Sequence, residues 1–296
     1  MIEAFSKKWA VLKLFDKIVV YFFLILNVLI LFFHQNISSP FLRFFIYLGF
    51  IFFIILVIPI LDKSGNKFIQ FLRYWYIIAS LTFIYWSIGS LVHLIFPEFL
   101  DRYIVSLEEK IFGELPNIWI QKLENPYLTE LMQISYAVYW FTIPVGSAIF
   151  YFKKRYDIFE YMLFFVLITF FLSYLMFIFI PVAGPRFMVM DQIYASYKGL
   201  LVTPFLRGFV ESAGLRGGAF PSSHVAVAIT VLFFVWKYYP RIAKRGFLPA
   251  VIGLTLATVY GQYHYLTDVV VGLAMGIIIG AIGIHYSQKV LSRSIK

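Results

Sequence analysis

The chain contains no cysteine. That excludes disulfides, thiolate metal sites and a cysteine nucleophile, without fixing the compartment. Charge is scarce as well: 14% of the 296 residues are Asp, Glu, Lys or Arg, against about a quarter in soluble domains. There is no glycine-rich nucleotide loop, no low-complexity tract and no internal repeat. Nor is any stretch between the apolar runs long and polar enough for a separate hydrophilic domain. A soluble protein is ruled out.

What fills the chain is apolar: 61% hydrophobic, with 35 Phe and 21 Tyr. Phe suits lipid-facing and packing positions, and Tyr and Trp suit headgroup level, so the aromatics call for no cofactor. Runs able to cross a bilayer need about 17–25 residues. Eight stand at 17–34, 41–61, 70–95, 127–151, 158–181, 220–238, 247–264 and 266–286. Lipid leaves backbone groups no outside partner, so each is expected to be helical. The expected fold is an all-α polytopic membrane bundle of eight transmembrane helices. Three spans fill residues 1–96, and a five-span part with its outer loops fills 97–296. The basic start, MIEAFSKKWAVLKLFDK, is followed by no small-residue cleavage site and leads into a retained first helix.

The net charge of +10 could suggest nucleic acid, but its distribution assigns it to loops. With the N-terminus inside, inner segments carry Lys7, Lys8, Lys13 and Lys17, then Lys63, Lys67 and Arg73. Next come Lys153, Lys154 and Arg155, then Lys237, Arg241, Lys244 and Arg245, and finally Lys289, Arg293 and Lys296. Most acids, from Glu98 to Asp268, fall on the other side. This is the positive-inside pattern. It places both termini in the cytoplasm and leaves no role for nucleic acid.

Two outer segments are long. In 97–126, Ile104, Leu107 and Ile111 share a helical face, so the stretch is either a short interfacial helix or an ordinary loop. Residues 182–219 carry Arg186, Lys198, Arg207 and Arg216 against Asp191 and Glu211. A polar loop of that length in a compact protein is often functional.

Three polar motifs fall on the same outer face: Gly184-Pro185-Arg186, Pro221-Ser222-Ser223-His224, and the stretch from His264 to Asp268. Pro221 can start a helix, since its missing N–H would be unpaired there. The following amides then make an anion site, with hydroxyls from Ser222 and Ser223 and an imidazole from His224 beside it. Alone, the motif would read equally as a helix cap. His264 and Asp268 share a helical face. A carboxylate bonded to one imidazole nitrogen fixes the tautomer and frees the other nitrogen to attack. Asp in a membrane segment is functional by default. Gly272, Gly276 and Gly280 continue at four-residue steps as a close-packing ridge, with only its near part expected to share the catalytic face. Arg186 can fork onto phosphate oxygens, and Arg216 is a second candidate. His34, His93 and His285 have no partner motif.

In this order, on separate helices, the motifs resemble those of the type-2 phosphatidate phosphatase superfamily, over roughly residues 125–287. Its members share a Lys/Arg–Pro element, PSGH, and Ser-Arg followed by His and, four residues later, Asp. The resemblance implies a phosphatidic acid phosphatase/haloperoxidase-like core. It implies that His264 is a nucleophile forming phosphohistidine, with Asp268 as its orienting partner and His224 as general acid and later base. Arg186, Ser222 and the backbone at Ser223 would hold phosphate. No metal and no cofactor is implied. The chain departs from the pattern at Ser223, where the family has Gly, in the order Pro185-Arg186, and at Ala257-Thr258, where it has Ser-Arg. The first motif's usual lysine, several residues earlier, is absent as well; with two cations missing, the chain looks more like the inositol phosphorylceramide synthase branch, whose diester substrates carry less charge. Arg207, Arg216 or Lys198 folding back would restore that charge.

The expected function is therefore a membrane enzyme acting on a lipid phosphate or phospholipid at the outer (extracytoplasmic or luminal) face. Water as acceptor would make it a phosphatase, and a lipid alcohol a phosphotransferase. The competing reading is a lipid transporter or flippase, which would spread polar groups along the midplane instead of gathering them at one surface.

Overall fold

A computed structural model describes residues 2–193 and 198–294; the side chains of 2–5, 211–213 and 293–294 are outside that description. Lys296 and the side chains of Arg293 and Glu211, counted in the charge pattern, therefore lie outside it. Regular structure among the described residues is helical, apart from one isolated bridge between Val182 and Gly218. The chain divides into two compact units, Met1–Pro97 and Glu98–Lys296.

The first unit holds α1 (Ile2–Val11), α2 (Leu14–Phe33), α3 (Pro40–Leu56), α4 (Ile58–Asp62) and α5 (Lys67–Gly89). Phe23 of α2 anchors its core, with ring centroids 5.1 Å from Tyr47 and Phe50 of α3 and 6.2 Å from Phe83 of α5. At one end lies a buried ionic cluster. Arg73 bonds both carboxylate oxygens of Asp16 and, at 2.9 Å, one oxygen of Asp62. The Tyr76 hydroxyl and the Lys13 amide also donate to Asp16. Asn66 caps α5 by accepting from the amides of Phe68 and Ile69, and the helix stops at Gly89, short of the expected residue 95.

The second unit begins with short helices, α6 (Asp101–Phe112) and α7 (Pro116–Trp119). Longer ones follow: α8 (Pro126–Ala137), α9 (Tyr139–Phe152) and α10 (Tyr156–Phe179). Then come α11 (Pro185–Met188), α12 (Val202–Ala213), α13 (Ser223–Tyr238) and α14 (Pro240–Ile242). The last leads through a π turn, Ala243–Phe247, into α15 (Leu248–Tyr260), followed by α16 (Leu266–Ser294). α13 is the central helix: Val225 to Val231 and Phe234 are buried on every side, against α9, α10, α15 and α16. A helix apolar all round belongs in such a core. α8 and α9 meet at a 42° bend at Val138, six residues before Pro144, whose ring removes a hydrogen bond and crowds the turn between them.

Among the described residues, five helices are long and apolar enough to cross a membrane: Leu14–Asn36, Pro40–Asp62, Tyr156–Phe179, Pro240–Tyr260 and Leu266–Ser292; the bent α8–α9 pair, taken as one span, would make a sixth. The chain is a multi-pass helical membrane protein. Lipid-facing rings such as Phe32, Phe45 and Phe141 are exposed. The other two expected spans are also helices, yet they fall short by these measures. α13 has only 16 residues, and α5 is diluted by polar groups such as Arg73. α15 ends at Tyr260, so His264 stands in the turn beyond the span rather than within it. α13 starts at Ser223 with Ser222 as its cap; Pro221 precedes the helix instead of opening it.

Candidate active site

One end of the second unit gathers the finish of α10 and α15 with the start of α13 and α16. The closest helix approach there joins α13 to α16 through the glycine ridge. A Cβ on Gly272 would stand 2.6 Å from the Ser222 carbonyl, on Gly276 2.5 Å from the Ala226 carbonyl, and on Gly280 2.8 Å from the Phe233 ring. The whole ridge receives α13, and its near end, at Gly272, meets Ser222 at the site. That contact lets the Ser222 amide donate to the Asp268 carbonyl at 2.9 Å, and the second and third motifs become one piece.

His264 is placed by a tight turn. The Thr258 carbonyl accepts the amides of both Tyr263 and His264, at 3.0 and 3.1 Å, while Gln262 takes a left-handed φ of 63°. The buried His264 ring then donates Nδ1–H to the Ala219 carbonyl at 2.8 Å. A carbonyl only accepts, so the proton sits on Nδ1, and Nε2 carries the free lone pair. Asp268 was expected to make this bond, but its Oδ2 stands 3.5 Å from Nδ1. That oxygen instead accepts the Tyr265 amide at 2.9 Å, because the carboxylate caps the first turn of its own helix. Burial, and next the neighbouring His224, hold His264 well below the ordinary imidazole value; the Ala219 bond opposes them and Arg186 adds to them.

His224 lies on the first turn of α13. Its Nε2 is 3.1 Å from the Tyr136 hydroxyl, and its ring lies 4.3 Å from Tyr139 and 5.7 Å from His264. Tyr136 and Tyr139 flank the α8–α9 bend, so the kink aims two rings at one histidine. Ser222 makes no capping bond with its side chain. Its Oγ, His224 Nδ1 and Asp268 Oδ1 are buried without a hydrogen-bond partner among the described residues. Leaving such a group unpaired costs about 1–3 kcal/mol, and three together mark a place where polar surface is held unspent. Ser223 is buried beside them.

Arg186 opens from α11. Gly184 before it has φ 98° and no room for a side chain, since a Cβ would stand 3.1 Å from the Tyr263 carbonyl. The Arg186 amide donates to the Gln262 carbonyl at 3.2 Å, so the first motif hangs on the turn that carries His264. Its guanidinium lies over Phe187 and Tyr263, at 4.6 and 5.4 Å. With Arg207 and residues 261–263 it lines a cavity of about 350 Å³. The exposed Arg216 stacks over Phe99 and Phe187. It approaches the Arg186 side of the site, with no contact to the histidines. His264, His224, Asp268, Ser222, Ser223 and Arg186 are thus brought together.

The comparison with known families fits this geometry: a model described as the PAP2 superfamily matches residues 102–282. The chain belongs to that superfamily. No curated protein and no solved structure matches it.

Much of what supports this PAP2 site lies outside the three motifs. Asp101 of α6 accepts the amides of Ala183 and Gly184, at 2.7 and 2.8 Å, and the Tyr265 hydroxyl at 3.0 Å. Burial and the Asp101 charge push the Tyr265 hydroxyl upward, so it remains a donor. Glu108, one face of α6 further on, caps α16 through the Thr267 amide; burial raises its carboxyl despite that bond. Asn117 donates to the carbonyls of Val259 and His264, and Gln133 accepts from Tyr263 at 2.8 Å. Motif reading missed all four. The available signal was Gln133, a polar residue inside an apolar run. Segment 97–126 is therefore helical over α6 and α7. Its buried face is Asp101, Ile104 and Glu108, while Leu107 and Ile111 point outward. At the position of the family's Ser-Arg pair, Ala257 and Thr258 are buried, and the Thr258 hydroxyl donates to the Thr255 carbonyl. No metal-binding group of three or more His, Asp or Glu side chains forms among the described residues.

Proposed function

We propose that this protein is a lipid phosphoesterase that works through a phosphohistidine on His264. The observation that carries the proposal is the pair of facing imidazoles, with His264 Nδ1 held by Ala219 and its Nε2 left to attack. In the first half-reaction Nε2 forms a bond to phosphorus as the bond to the leaving oxygen breaks, and His224 gives that oxygen a proton. In the second half, His224 takes a proton from the acceptor as the acceptor's oxygen displaces His264. The α13 amides, Ser222, Ser223 and Arg186 hold the phosphoryl oxygens; Arg216 guides the anion from the surface. Asp268, 3.5 Å from Nδ1, stabilises the imidazolium character that develops rather than setting the tautomer. None of these steps uses a metal.

A lipid alcohol as acceptor makes the reaction a headgroup transfer, as in the inositol phosphorylceramide synthase branch, and water makes it hydrolysis. The missing cation at Thr258 favours transfer, because a diester carries less charge. The protein has eight crossings, with cytoplasmic termini and the site on the outer face; residues 1–96 form the accessory part and 97–296 the catalytic part.

The decisive experiment is acid- and base-quenched labelling with a radioactive lipid phosphate. An alkali-stable, acid-labile label that disappears in His264→Ala supports the mechanism. Near-normal turnover in His264→Ala or His224→Ala would overturn the mechanism, and movement of a labelled lipid that survives His264→Ala, His224→Ala and Asp268→Asn would favour a transporter instead. Comparing monoester and diester lipids, with and without alcohol acceptors, separates phosphatase from transferase.

A further inference from the structure

The cavity beside Arg186 has a second cation. Arg207 and Val210 are three apart on α12 and share a face, and both line the cavity with Arg186, Phe187 and Tyr263. Helix α12 is two-sided. Thr203, Leu206 and Val210 are buried, whereas Val202, Phe205 and Phe209 are exposed. The helix is also tied down. Glu130 of α8 accepts the amides of Leu200, Leu201, Val202 and Thr203 and the Thr203 hydroxyl, at 2.5–3.2 Å. A carboxylate at a helix start is favourable for both amides and dipole. At the other end, the Arg186 guanidinium rests against Gly214, where a Cβ would stand 2.5 Å from Nη2. Arg186 thus sits at the negative end of the α12 dipole, and Arg207 projects into the same cavity two turns earlier.

We propose that Arg207 is a phosphate-binding residue, forming with Arg186 a two-arginine clamp for the phosphoryl group of an amphipathic lipid anion. This presupposes the phosphoryl-transfer function proposed above. The cavity's chemistry names the ligand class: two guanidiniums, with Gln262 and Tyr263 beside them, and an apolar wall of Phe187, Met190, Ile193 and Val210. A fully hydrophilic phosphate would leave that wall without a partner. Arg207 supplies from α12 the positive charge that Thr258 withholds from α15.

The test uses the full chain in detergent, with inorganic phosphate and a short-chain lipid phosphate as probes. Each should raise the melting temperature, the lipid phosphate at lower concentration. In Arg207→Ala the concentration needed should rise about tenfold or more, the worth of a charged hydrogen bond. KM should rise in parallel with little change in kcat. Arg207→Lys should recover part of the loss. An equal shift in wild type and Arg207→Ala, or no shift in wild type, overturns the clamp. A phosphate-dependent shift that Arg207→Ala weakens, in a protein without turnover, upholds the clamp and defeats the catalytic proposal instead.

Discussion

In the first unit, Arg73 gives its guanidinium to Asp16 and Asp62, and Tyr76 and the Lys13 amide occupy what is left of Asp16. In the second, Ser222, His224 and Asp268 each keep a buried polar atom with no partner among the described residues. Both clusters are polar islands in an apolar chain, and both are largely buried, with Asp62 in the first and His224 in the second partly exposed. The difference lies in how far each is satisfied. A buried ion pair survives only when its remaining donors and acceptors are also met, and the Arg73 cluster meets that condition with groups from α2, α4 and α5. The histidine cluster meets it only in part. Its geometry is fixed on one side by Ala219, Tyr136 and Tyr265, while Ser222 Oγ, His224 Nδ1 and Asp268 Oδ1 stay unpaired among the described residues.

Four changes would break or sharpen that contrast. The largest effect is expected for His264→Ala, which should reduce turnover by at least about 10⁴-fold with the melting temperature almost unchanged; phosphate release and thermal denaturation read the two quantities. Arg73→Ala should do the reverse. It strands Asp16 in the interior and should destabilise the protein by about 3–5 kcal/mol, with specific activity retained by the folded fraction. If Arg73→Ala silenced the folded enzyme, the fastening would be part of the machinery. Asp268→Asn should slow turnover by about 10–100-fold, as removal of a supporting carboxylate does. The tautomer is held by Ala219, so a loss of 10⁴-fold would show that Asp268 sets it after all. Gly276→Ala should cost about 1–3 kcal/mol by overpacking, since its Cβ would meet the Ala226 carbonyl at 2.5 Å.

Acid gives a further handle on the second cluster. His264 binds its proton less readily in the fold than at its ordinary value of 6.5. The unfolded chain therefore binds more protons as pH falls below 6.5, and stability drops through that range. The His264 ring stays neutral over the same interval, so, under the proposed mechanism, the acidic limb of activity due to it should lie below pH 6.5. A pH profile of kcat/KM beside one of melting temperature checks both.

The pairing of His264 with Asp268 was legible in the sequence because the polar motifs interrupt long apolar runs, but the helical reading of their spacing was only half right: α16 begins at Leu266, and His264 stands in the turn before it. The carboxylates of α6 were not legible, for a physical reason. In water, apolar periodicity marks the inward face. Next to lipid the inference reverses: Leu107 and Ile111 face out, and Asp101 and Glu108 face in. The Ala219 carbonyl was invisible too, because it is a backbone group brought to His264 from 45 residues away. The helical class was readable throughout. The span count was less so, since α5 and α13 trade length or hydropathy for the polar groups they carry.

Asp101 has a consequence for dividing the protein. Its carboxylate joins the strand-like turn before Arg186 to the residue after His264, positions 82 and 164 places further along the chain. The family match begins at residue 102. A fragment cut at that boundary would contain every motif residue and lose the clasp that aligns them. Its histidines would be present, but the first and third motifs would be free to drift apart.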